Sequence, residues 1–194
     1  PDPKEEAKLK KKYYKKAIKW YQKTIDKRDC LYFDKEYNGW YDCDDWDLTN
    51  AYLDLADLYK LGYGTQKNLS KHFDLLEECY NETKGFWCTS ELAILYGEGN
   101  EKVKKNLQKS NELLFEIART EEEGWSLFAS RWLGNNYYKG TGVNKDLILG
   151  YMWLLRATNS KAYQSAEEDY SEDINDVDKN IGELLTNHEN EDLL

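Results

Sequence analysis

The side chains with the widest chemical repertoire are four cysteines, Cys30, Cys43, Cys79 and Cys88, and two histidines, His72 and His188. His72 and Cys79 lie seven residues apart, on one face if the segment is helical. Seven residues rise about 10.5 Å, far beyond the hydrogen-bond reach that a thiolate–imidazole pair requires. A zinc site is equally poor, because no Cys-x-x-Cys spacing occurs and only two imidazoles are available. Reduced core thiols and disulfides remain as readings of the cysteines. No serine has lysine three residues on, and Lys139-Gly140-Thr141 runs in the wrong order for a Lys-Thr-Gly element, so an acyl-enzyme site does not assemble. The acids of Asp42-Cys43-Asp44-Asp45-Trp46-Asp47 suggest calcium, but a loop counted from Asp42 puts Trp46 fifth, Asp47 in the glycine place and Leu53 twelfth. Those acids are better placed to cap, and complement the dipole of, a helix beginning near Leu48. Neither a catalytic constellation, nor a metal site, nor a cofactor is therefore expected. Asn68-Leu69-Ser70 and Asn81-Glu82-Thr83 fit the glycosylation tripeptide, a pattern short enough to recur by chance.

The elements that must carry these residues are helices. Of 194 residues, 40% are hydrophobic and 14% aromatic, sufficient for one sizeable core or a stack of small ones. Both prolines fall in the first three positions, so glycine becomes the main punctuation. The net charge of −10 opposes binding to a nucleic-acid backbone. It is unevenly spread: Pro1–Arg28 holds eleven basic and four acidic residues, a net +7, leaving −17 on Asp29–Leu194. Glu121–Glu123 and the acids between Glu167 and Asp178 read as solvated faces. No run is long and apolar enough for a membrane span, and no targeting segment is visible.

Three segments repeat. Ala51–Tyr59 with Gly62 and Gly64 recurs as Cys88–Tyr96 with Gly99, and again as Ala129–Tyr137 with Gly140 and Gly142. The anchor tyrosines are 37 and 41 residues apart, the period of a two-helix unit. A small residue (Ala56, Ala93, Gly134) lets a neighbouring helix approach, and Leu55, Leu92 and Leu133 fill the space between helices. The glycines allow the left-handed backbone that ends the first helix, and Asn68, Asn106 and Asp146 are placed to cap the second. Second helices then show apolar residues at helical spacing, as in Leu69, Phe73, Leu75 and Leu76. The unit Cys88–Ile117 lacks the second glycine and gains a residue in Asn100–Lys105, which predicts an irregular turn.

Written as AxxxLGxxYxxGxGVxxDxxxxxxWxxxA, the unit resembles the Sel-one-like repeat, a relative of the tetratricopeptide repeat, and Ala129–Ala157 fits it almost throughout. The resemblance covers roughly Tyr13–Ala157 and implies an all-α, right-handed solenoid of antiparallel helix pairs. The expected organisation is a single domain, 1–194. It has an N-terminal helix or half repeat at 1–29, an atypical linker at 30–46, repeats at 47–82, 84–120 and 125–160, and a C-terminal capping helix at 162–187.

Cysteine-rich secreted members of that family are similar in placing a disulfide between consecutive units, which implies a Cys79–Cys88 bond. Cys30–Cys43 would then clasp the linker, and both bonds imply a periplasmic or secreted chain. Some such relatives are linked to β-lactam hydrolysis, for which the serine–lysine search found no counterpart. The resemblance therefore implies a non-catalytic protein-binding module. It acts either as a periplasmic immunity protein that inhibits a toxic effector with a cationic surface or as a secreted host-binding factor, without nucleic acid. In the tetratricopeptide stack the first helices line the concave face. Carried across, the binding positions are Asn50, Leu53, Asp57 and Lys60, then Trp87, Ser90, Ile94 and Glu98, then Phe128, Arg131, Asn135, Tyr138 and Lys139. Trp87, Arg131 and Tyr138 are the expected anchors.

Overall fold

The computed structural model describes residues 3–27, 31–34, 39–42, 45–120, 123–158 and 179. The order of elements is α1 (Pro3–Lys27), β1 (Leu31–Asp34), β2 (Gly39–Asp42), α2 (Asp45–Leu61), α3 (Leu69–Thr83), α4 (Phe86–Glu98), α5 (Leu107–Ala118), α6 (Glu123–Lys139) and α7 (Leu147–Thr158). The fold is an all-α helical repeat with one small β-hairpin inserted. Two compact units divide it, Pro1–Leu92 with Gly99–Lys104, and Ala93–Glu98 with Lys105–Leu194.

Each helix pair closes through the same local chemistry. Gly62, Gly99 and Gly140 take the left-handed backbone at φ near +74°, with values of 75°, 73° and 73°, and end the first helix. The chain then returns so that the backbone N–H of Asn68, Asn106 or Asp146 donates to the carbonyl of the anchor tyrosine, Tyr59, Tyr96 or Tyr137, at 2.8, 2.7 and 2.9 Å. The side chains of these same three residues accept from the N–H three positions on, at 3.0, 3.0 and 2.9 Å, capping α3, α5 and α7 as their sequence positions require. In the irregular turn, Asn100 accepts from the N–H groups of Lys102 and Val103, both at 2.8 Å, and Val103 turns inward and is buried. The extra residue is thus absorbed by a side-chain-built turn.

In the first unit, Tyr52, Leu55, Ala56, Leu75, Leu76 and Cys79 form the core, while Tyr52 Oη donates to Glu82 at 3.0 Å. Helix α1, the longest among the described residues, packs on α2, buries Ile25, and stacks Tyr14 on Tyr63 of the turn that follows α2, with centroids 5.0 Å apart. Its Tyr21 hydroxyl bonds Asp54, and burial together with that carboxylate raises the phenol above its ordinary range. A Cβ on Gly64 would stand 2.7 Å from Tyr14 Cβ and 2.8 Å from Lys15 N. In the second unit the equivalent Gly142 meets the backbone of Leu107, at the start of α5, in the same way. Toward its neighbour, α1 therefore plays the part of a second helix.

The second unit buries Leu113, Leu114, Ile117, Ala118, Ala129, Leu133, Leu154 and Ala157. Buried Asn111 adds a polar link: it donates to Thr141 O at 2.8 Å and accepts from Asn136 at 2.6 Å, tying α5 to the end of α6.

Two local expectations change. The linker contains a β-hairpin, with Leu31 paired to Asp42 and Asp34 to Gly39 in antiparallel register. The β-branched-poor but aromatic runs Leu31–Phe33 and Trp40–Tyr41 suit strands. Helix α2 begins at Asp45 rather than near Leu48, so Asp47 lies inside its first turn, where a carboxylate complements the dipole. The 162–187 capping helix, like Cys30 and Cys43, falls outside the described residues apart from Lys179.

Candidate functional site

The two described cysteines are joined. Cys79, near the end of α3, and Cys88, at the start of α4, are both fully buried and disulfide-bonded, with Cα atoms 6.0 Å apart. The turn they span is hydrogen-bonded throughout. Lys84 takes a left-handed conformation and its N–H donates to Tyr80 O, Thr83 Oγ1 donates to Cys79 O at 2.9 Å, Gly85 N–H donates to Thr83 Oγ1 at 3.0 Å, and Thr89 Oγ1 donates to Gly85 O at 2.9 Å. These thiols have no nucleophilic role while bonded.

His72 is buried, with Nδ1 3.2 Å from the carbonyl of Ala56. A carbonyl only accepts, so the ring carries its proton on Nδ1. Burial, aided by Lys60, pulls its pKa below the ordinary value, against the opposing hydrogen bond and the carboxylates of Asp57 and Glu91. The neutral ring is thus a packing element of the α2–α3 contact. Among the described residues no group of three or more His, Cys, Asp or Glu could hold a metal ion.

The candidate binding positions fall on the outward stripes of α2, α4 and α6, because the inward stripe of each helix is occupied by the repeat core. In the first unit, α2 buries Ala51, Tyr52, Leu55, Ala56 and Leu58, leaving Asn50 and Leu53 half-buried and Asp57 and Lys60 exposed at spacings of three and four. Trp87 and Ser90 lie on the corresponding side of α4, with Ser90 Oγ donating to Trp87 O at 2.9 Å. Lys60 Nζ of α2 stands 4.0 Å from Glu91 Oε2 of α4, within the first unit. This exposed pair contributes little to stability.

In the second unit, Ile94 is half-buried and Glu98 exposed on α4. On α6, Ser126, Ala129, Ser130 and Leu133 face inward, whereas Phe128 and Lys139 are exposed and Arg131, Asn135 and Tyr138 half-buried. Lys145 Nζ lies 5.9 Å over the Tyr138 ring. Two further residues, which the family resemblance does not mark, belong to this stripe: Trp125 and Trp132 are also exposed, and Trp132 packs on Phe128 at 5.7 Å. Trp125, Phe128 and Trp132 run at i, i+3 and i+7, a helical spacing visible in the sequence. The stripes are mixed in charge, with Asp57 and Glu98 against Lys60, Arg131 and Lys139, so the acidity of the chain is not concentrated on them.

The Sel1 repeat family model matches residues 10–29, 49–77, 89–119 and 128–160. No curated protein matches the sequence. Among solved structures, the chain is similar to a protective antigen present in uropathogenic Escherichia coli strains displaying an SLR fold. The identity is 23% and the TM-score 0.50, over 61% of this chain and 23% of that one. It is also similar to a Sel1 repeat protein from Oxalobacter formigenes, with 21% identity and a TM-score of 0.54, over 78% of this chain and 52% of that one. The chain thus spans about a quarter of the first protein and about half of the second. These likenesses show the fold.

Proposed function

This chain belongs to the Sel1 repeat family, whose repeats are protein–protein interaction modules, and on that premise we propose that it binds another protein through the outward stripes of α2, α4 and α6 without chemistry of its own. The observation that carries this reading is the α6 stripe, where Trp125, Phe128 and Trp132 stand exposed beside Arg131 and Tyr138. Contiguous aromatic surface is costly to hydrate, and tryptophan, tyrosine and arginine supply most interface energy in other complexes.

The narrower reading is a periplasmic immunity protein that occupies and inhibits a toxic effector. The Cys79–Cys88 disulfide supports an oxidising compartment. The −17 carried by Asp29–Leu194 favours a partner with a positive surface by long-range attraction, while contact specificity comes from the mixed stripes. No helix of the described residues is long and apolar enough to cross a membrane.

Affinity capture from the native host, with a strain lacking the gene tested in parallel, checks this reading. The expected outcome is recovery of a toxin and sensitivity of the deletion strain to attack by its siblings. Recovery of a host surface or immune protein would replace immunity with the host-binding role, and nitrocefin turnover by the oxidised protein would overturn the non-catalytic assignment.

A further inference from the structure

We propose that the outward side of α7, with the adjoining flank of α5, is a second docking surface that takes a segment of a partner protein bearing carboxylates around apolar side chains. Two and six residues after the caps Asn68, Asn106 and Asp146, each second helix turns a side chain outward. In α3 these are Ser70 and Asp74 and in α5 Gln108 and Glu112, all polar and exposed. In α7 they are Ile148 and Met152, 67% and 60% exposed. A further repeat follows both α3 and α5, yet the positions stay exposed there, so their exposure in α7 belongs to the position and not to what comes after the helix.

Toward α5 the surface continues as a ladder of rings and guanidinium groups. Phe115, itself 40% exposed, meets Trp153 edge-on with centroids 5.7 Å apart. Arg119 Cζ lies 5.6 Å from the Phe115 centroid and Arg156 Cζ 5.5 Å from that of Trp153. Four of the 27 basic residues are arginine, and two of them stand here, at the C-terminal ends of α5 and α7. A helix end favours any cation, which does not account for arginine held on a ring. Among the described residues neither guanidinium is paired with a carboxylate, although the chain has 37 acidic side chains. A guanidinium stacked on a ring keeps its N–H edge to donate, in plane, to a carboxylate, and the stacking lowers the ordering cost of doing so. Arginine, methionine and aromatic side chains are also the types enriched where proteins meet. An anionic bilayer fits less well, because Glu112 and Glu116, three residues before and one after Phe115, are exposed and would be repelled. Built from second helices, this surface goes beyond the first-helix stripes and is separable from them.

Panning a random peptide library displayed on phage against the oxidised full chain tests this. Enriched peptides should carry aspartate or glutamate beside leucine, phenylalanine or tryptophan, and synthetic copies should bind more weakly as salt shortens the screening length. Arg119→Gln with Arg156→Gln should weaken them on the order of a hundredfold and remove most of the salt dependence. Ile148→Ser with Met152→Ser should weaken them roughly tenfold with the salt dependence retained. All four altered side chains are exposed, so circular dichroism melts should not change. Arg131→Ala with Tyr138→Ala should leave the peptides bound, so that either surface can fail without the other. Enrichment of basic or uncharged peptides, acidic peptides indifferent to both α5–α7 variants, or their loss on changing Arg131 and Tyr138 would overturn the proposal. So would capture of anionic vesicles in place of peptides, or a dimer mass by light scattering that the glutamine variant loses, which would make the occupant a second copy of this chain.

Discussion

The α2–α3 pair of the first unit and the α6–α7 pair of the second make the same contact in opposite ways. Equivalent positions four residues after the cap are His72, Ser110 and Gly150, and each faces the small residue of the preceding helix, Ala56, Ala93 or Gly134. In α2–α3 an imidazole fills the gap and bonds the Ala56 carbonyl; in α4–α5, Ser110 Oγ donates to Ala93 O at 2.7 Å. In α6–α7 nothing intervenes: a Cβ on Gly134 would lie 2.6 Å from Leu154 Cγ and 3.0 Å from Gly150 O. A repeat position thus specifies separation rather than residue type. A polar side chain that satisfies a carbonyl and a glycine pair that brings the backbones together are alternative solutions, and each binds its pair to its own partner residue.

The close approaches should yield the largest effects. Gly142 combines φ of +70° with a Cβ site pressed against the Leu107 backbone, whereas Gly140, at +73°, would meet Lys145 Cβ at 3.2 Å and little else. Gly142→Ala should therefore cost about 3 kcal/mol and Gly140→Ala about 1 kcal/mol, read by denaturant titration. Equal costs would show that backbone conformation alone sets the penalty and that the approach to α5 is incidental.

Removal of the Cys79–Cys88 bond ranks next. Closing so short a loop stabilises by somewhat less than about 3 kcal/mol, so reduction should lower the melting temperature of the first unit. Non-reducing mass spectrometry is expected to show four hydrogens fewer than the reduced chain. The second bond is proposed as Cys30–Cys43, the pair that is left once Cys79 and Cys88 are joined. A loss of two hydrogens would leave that pair reduced.

Gly134→Ala would give α6 the residue found in α2 and α4, and still should destabilise by about 2 kcal/mol because Leu154 and Gly150 already occupy the space. A neutral or stabilising result would mean that α7 can retreat to the α3-like separation.

The smallest effect is a pH dependence. The folded pKa of His72 is lowered from 6.5, so the unfolded chain takes up its proton first. The stability contributed by the neutral ring is complete above about pH 6.5 and declines as pH falls below it. His72→Ser, which copies Ser110, should remove that part of the decline while changing stability near neutrality by about 1 kcal/mol. Parallel melting curves for the variant and parent across this range would refute the assignment.

Much of this architecture is legible in the sequence because it rests on local rules. Left-handed glycines, Asn or Asp caps and anchor tyrosines each act within a few residues, and all three repeats display them. The Cys79–Cys88 bond was legible only through the family resemblance. The hairpin is not legible in the sequence, because its aromatic runs are too short to carry a period of their own inside the interruption of the repeat. Trp125 and Trp132 are legible in helical spacing alone, since they stand at i and i+7 around Phe128, whereas the family resemblance does not mark them. The partner is not legible, since an outward stripe is constrained by whatever it meets rather than by the fold.

The most direct measurement is the affinity of a captured partner for the parent chain and for Arg131→Ala and Tyr138→Ala, by calorimetric titration alongside thermal melts. Each substitution should weaken binding by about 2 kcal/mol while the melting midpoint barely moves. Unchanged affinity with the fold intact would contradict recognition by the first-helix stripes and shift it to the Leu31–Trp46 linker.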